Sequence, residues 1–187
     1  MWIILALVLA GIVFYFSASR SFVPDNFKDA RSQSSVLASD LVVILDASVK
    51  NLDKISEEDK AGRFSSALNL VEEETKNIEN AKNKALELSD KLGKMAQAVQ
   101  GIKPATAKSL AFDAVSQEVS LINHLLNYNA YFEGLLKVLK MKFEGDKNYD
   151  GDNVQIFINN MNREGDDINS LNDSFNQKLR EFDSAIN

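Results

Sequence analysis

Polar and apolar positions divide this 187-residue chain into one unbroken apolar run and four long amphipathic stretches. The run extends from Trp2 to Phe16, and the first charged side chain after it is Arg20. Downstream, apolar and small residues recur at steps of three and four, the spacing that lines one face of a helix. The first stripe passes through Phe27, Leu37, Leu41, Ile44, Ser48, Leu52 and Ile55, widened by Val36, Val43 and Leu45. The second alternates steps of four and three through Phe64, Leu68, Val71, Thr75, Ile78, Lys82, Ala85, Ser89 and Leu92, with Leu88 and Met95 at its flank. That is the heptad spacing by which one helix lies along another. The third, from Ala111 through Asn129 to Phe143, is the most apolar of the four, and the last runs from Val154 to Ile186 with Gly165 on its face.

Three breaks separate the stripes. Ser56-Glu57-Glu58-Asp59 carries a capping serine followed by acids that oppose the helix dipole, so it predicts a helix start. Gly101-Ile102-Lys103-Pro104 pairs a glycine stop with a proline start. Glu144 to Asn153 reads as a polar loop with two glycines. The predicted helices are therefore about 24–55, 57–100, 104–144 and 152–186. Short connections force neighbouring helices antiparallel. The expected fold is all-α: an N-terminal transmembrane helix followed by an elongated up-and-down four-helix bundle with coiled-coil-like packing, divided as 1–20 and 21–187.

The transmembrane expectation rests on length and flanks. Nineteen uncharged residues span roughly 28 Å as a helix, close to the hydrocarbon thickness of a bilayer. Trp2 and Tyr15 suit the water–lipid boundary, and Arg20 can reach the headgroups. A cleaved signal peptide and a buried helix are the competing readings; the first lacks a basic n-region, the second more polar interruption. Arg20, Lys28 and Arg31 follow the run, which leans the remainder toward the cytoplasmic side of a cell membrane, with the opposite side nearly as well supported.

Charge and composition narrow the partners. A net charge of −6 argues against nucleic acid, which needs a basic face. The absence of cysteine excludes disulfides and thiolate chemistry. Glu72, Glu73, Glu74, Lys76 and Glu79 fall between the stripes and read as a solvated helix face.

Little of the chain carries chemistry. Asp146, Asn148, Asp150 and Gly151 match the first half of a calcium loop, yet the twelfth position, which should be a bidentate acid, is Phe157. The single histidine, His124, shares a helix face with Tyr128 and Tyr131, a patch suited to a ligand or partner. No catalytic constellation, cofactor motif or complete metal motif is present, so no enzyme, metal or cofactor is expected. One apolar N-terminal segment ahead of long antiparallel helices is similar in architecture to the LemA family and to four-helix ligand-binding domains of bacterial chemoreceptors. No residue motif ties the chain to either. The expected role is a membrane-anchored, non-enzymatic interaction or assembly module, touching lipid through its first helix and a protein partner, or a second copy, through its bundle. A sensory or small-molecule-binding bundle is the alternative, and a secreted helical protein the third reading.

Overall fold

The computed structural model describes residues 21–187, and they form an all-α fold of four helices. These are α1 (Asp25–Lys60), α2 (Phe64–Ala98), α3 (Ala105–Glu144) and α4 (Gly151–Ile186). Each packs along its sequence neighbours, α1 on α2, α2 on α3 and α3 on α4. Ion pairs between Lys84 and Asp40, Lys82 and Glu133, and Lys140 and Glu72 mark the antiparallel registers. One end of the fold holds the N-terminus of α1 and the C-terminus of α4; the other holds the α1–α2 and α3–α4 connections.

Among the described residues no helix is long and apolar enough to cross a membrane. This corrects the expected transmembrane fold, and with it the membrane and single-pass reading. The physical reason is amphipathicity: even α3, the most apolar helix, is interrupted by Lys108, Asp113, Glu118, Glu133, Lys137 and Lys140. The segment on which the expectation rested, with Trp2, Tyr15 and Arg20 at its edges, lies outside the described residues.

The turn between α1 and α2 falls later than Ser56. Helix α1 runs on to Lys60, and the chain reverses through Gly62, whose φ of 69° is left-handed backbone that glycine adopts without strain. Arg63 reaches back across this turn to Glu58 with two hydrogen bonds of 2.6 and 2.7 Å. They hold the Glu58 carboxyl at about 2, well below its usual range. At the opposite end Val99–Gly101 tightens into a 3-10 turn. There Phe22 and Lys103 exchange backbone hydrogen bonds of 3.1 and 2.9 Å, which ties the residues before α1 to the α2–α3 connection. A side chain at Gly101 would sit 2.7 Å from the Pro24 ring, so the two segments meet there only because residue 101 has none.

Two apolar clusters form the core, one toward each end. The first gathers Phe27, Leu41, Leu88, Leu92, Met95 and Phe182. The second gathers Leu45, Ile78, Leu125, Tyr128, Phe132 and Met161. In α2 the buried line is Ala67, Val71, Glu74, Ile78, Ala81, Ala85, Leu88, Leu92 and Met95. The centre of the seam is thus rotated from the expected one. Lys82, Ser89 and Thr75 stand on exposed flanks, and Leu88 and Met95 move to its middle. Val36 and Val43 are exposed rather than part of the α1 stripe.

Candidate functional site

Three places concentrate polar or accessible apolar groups. The first is the face proposed around His124. Tyr128 is buried, with its ring edge-on to Phe132 at 6.0 Å. Burial, and secondarily the charge of Glu74, push its hydroxyl above the usual tyrosine range. Tyr131 is half-buried against the second apolar cluster. His124 instead lies on the flank of α3 that meets α4. Its Nδ1 sits 2.7 Å from Oε2 of Glu164 and 3.6 Å from Oδ2 of Asp167. The histidine is therefore associated with two acids, three residues apart on α4, rather than with the two tyrosines as an open patch. The three ligand-capable atoms all lie within 4.8 Å of one another.

The second place is the α3–α4 loop. The backbone N–H and side-chain amide of Asn148 both donate to Oδ1 of Asp146, at 2.8 and 3.0 Å. Oδ1 of Asp150 accepts from the N–H of Asp152 at 3.0 Å and caps α4. Oδ1 of Asp146 and both carboxylate oxygens of Asp150 thus shape a turn and a helix start. Phe157, at the twelfth position, packs its ring over Gly134 of α3, where a β-carbon would collide with it.

The third is a cleft of about 280 Å³ at the end holding the α3–α4 loop. Leu52 and Ile55 of α1, Leu139 and Phe143 of α3, and Val154 and Ile158 of α4 line it. Asp53 and Asp59 of α1 also border it, and Lys142 of α3 reaches Asp59 at 2.5 Å. The cleft exists because α1 and α4 do not lie in close backbone contact along their length; they meet through long side chains at the far end.

Buried polar groups were the part least expected. Glu74, read from the sequence as part of a solvated face, is completely buried; its Oε2 accepts from Asn51 at 2.8 Å and from Asn77 at 3.1 Å. Asn129 and Ser48 are also buried, and among the described residues their side-chain polar atoms have no hydrogen-bond partner, nor has Oε1 of Glu74. Further along, Glu118 is buried near Arg31, and desolvation pushes its carboxyl up to about 7 against the opposing pull of that cation. Asn129 and Ser48 did fall on predicted apolar stripes, which is a readable signal; Glu74 and Glu118 did not.

No protein-family model, curated protein or solved structure matches this chain.

Proposed function

We propose that this chain is a non-enzymatic interaction module, and that the end cleft takes the apolar face of a partner's helix. The cleft is the observation that carries the reading. Three helices contribute aliphatic walls, and carboxylates stand at its border. An amphipathic helix presents anchors at i, i+3, i+4 and i+7 to such a groove. With Asp59 already paired to Lys142, the bordering Asp53 and the net charge of −6 favour a helix with basic flanks. Two of the polar groups that converge, His124–Glu164–Asp167 and Glu74–Asn51–Asn77, include no hydroxyl or thiol nucleophile.

The test is to titrate the full chain into a fluorescent, leucine-rich cationic amphipathic peptide and into its acidic counterpart, following anisotropy. The expected result is saturable binding of the cationic peptide, weakened at least about tenfold by Leu139→Glu. Equal binding by the wild type and a folded Leu139→Glu variant would overturn the proposal. The cleft's volume, close to the lower bound of about 300 Å³ for small-molecule pockets, favours a second reading, a small apolar ligand. One apolar dye bound per chain, lost in the same variant, with no peptide binding, would select it.

A further inference from the structure

We infer that His124, Glu164 and Asp167 form a binding site for a divalent transition-metal ion of the zinc class, bridging α3 and α4. The inference is independent of the cleft, none of whose lining residues it uses.

The donor set is one imidazole nitrogen and two carboxylate oxygens. Two atoms bound to one ion at about 2.0–2.2 Å, at tetrahedral or octahedral angles, stand about 2.9–3.6 Å apart. The distances from Nδ1 of His124, 2.7 Å to Glu164 and 3.6 Å to Asp167, bracket that range closely. The third edge, between the two acids, is no longer than 4.8 Å. The Glu164 side chain is 7 % exposed, so one ligand is held firmly by packing, while His124 at 32 % and Asp167 at 51 % leave open positions for water. An imidazole ligand selects against calcium and magnesium, which take oxygen donors, and toward first-row transition ions.

Charge favours occupancy as well. Two carboxylates converge on a single imidazole, and the cluster keeps a net negative charge whether or not that ring is protonated. Among the described residues His124 is the basic side chain that meets each of them. A divalent ion satisfies both acids at once. It also joins two helices that are forty residues apart at this point, so binding is coupled to folding.

The test uses the full chain after dialysis against a chelator. Zinc is titrated calorimetrically, cobalt by its visible ligand-field absorption, and melting temperature is read with and without zinc. Expected are one equivalent of bound ion, cobalt bands of a site with nitrogen and oxygen donors, and a higher melting temperature in zinc. Asp167→Asn, at an exposed position that leaves the fold intact by circular dichroism, should weaken binding at least about tenfold and remove the melting shift. His124→Gln should do the same. Absence of saturable binding overturns the inference. So does binding that survives both substitutions, or binding that is abolished by Asp150→Asn in the α3–α4 loop.

Discussion

Arg31 of α1 and Asp183 of α4 are joined by two parallel hydrogen bonds, Nη1 to Oδ1 at 2.9 Å and Nη2 to Oδ2 at 3.2 Å. This fork closes the end of the fold away from the cleft. The same guanidinium lies 5.7 Å from the centre of the Phe182 ring, which itself packs on Phe27. Bidentate geometry and partial burial make this pair stronger than a surface ion pair. Asp183→Ala should cost about 2–3 kcal/mol, below the range of about 3–5 kcal/mol for fully buried pairs because Asp183 keeps some contact with water. Urea unfolding reads this directly, and an unchanged midpoint would show that the fork contributes nothing.

Glu118 makes stability depend on pH. Its carboxyl is held near 7 in the folded chain, above the ordinary value of 4.5 that applies once the chain unfolds. Below about 4.5 both states carry the proton and nothing is lost. As pH rises from there through 7, the unfolded chain ionises first and stability falls, by at most about 3 kcal/mol. The charge of Arg31 pulls the other way, and burial outweighs it. Denaturation between pH 5 and 8 should show this decline in the wild type and a flatter profile in Glu118→Gln. Parallel profiles would remove Glu118 as the cause.

Glycines 93 and 134 should respond in opposite directions. A β-carbon at Gly93, inside α2, meets open space. Gly93→Ala should therefore stabilise the fold by about 0.5–1 kcal/mol, through helix propensity and a less free unfolded chain. At Gly134 the new carbon would displace the Phe157 ring from its place on α3. Gly134→Ala should destabilise by about 1 kcal/mol, the clash exceeding the gain in propensity. Thermal melts of the two variants side by side decide it.

The rotated seam of α2 has its own test. Leu88→Ala should cost about 2–5 kcal/mol, as large-to-small changes in a core do. Ser89→Ala should stay within about 0.5 kcal/mol, as exposed substitutions do. Similar effects at both positions would return the seam to the register expected from periodicity.

That seam shows what the sequence could and could not convey. Long apolar periodicity was enough for four helices and an all-α fold. The breaks at Gly101–Pro104 and in the Glu144–Asn153 loop were legible because glycine and proline act locally. The register of α2 was not, because four of its ten buried positions are alanine, at 67, 81, 85 and 98, and alanine does not mark a face. The first turn was misplaced because an ordinary-looking Ser-Glu-Glu-Asp run resembles a cap, while the turn itself depends on Gly62 and on Arg63 reaching Glu58. The apolar N-terminal run drew a membrane reading that none of the described helices shares. At the candidate metal site, Glu164 and Asp167 show helical spacing in the sequence, but their meeting with His124 depends on the α3–α4 register.

The backbone exchange between Phe22 and Lys103, with Ser21 donating its hydroxyl proton to the carbonyl of Ile186, gives the molecule a direction. The chain enters and leaves the described fold side by side, while the cleft opens a helix length away, about 50 Å at 1.5 Å per residue. A fluorophore or a solid support joined at the C-terminus would therefore leave the cleft unobstructed.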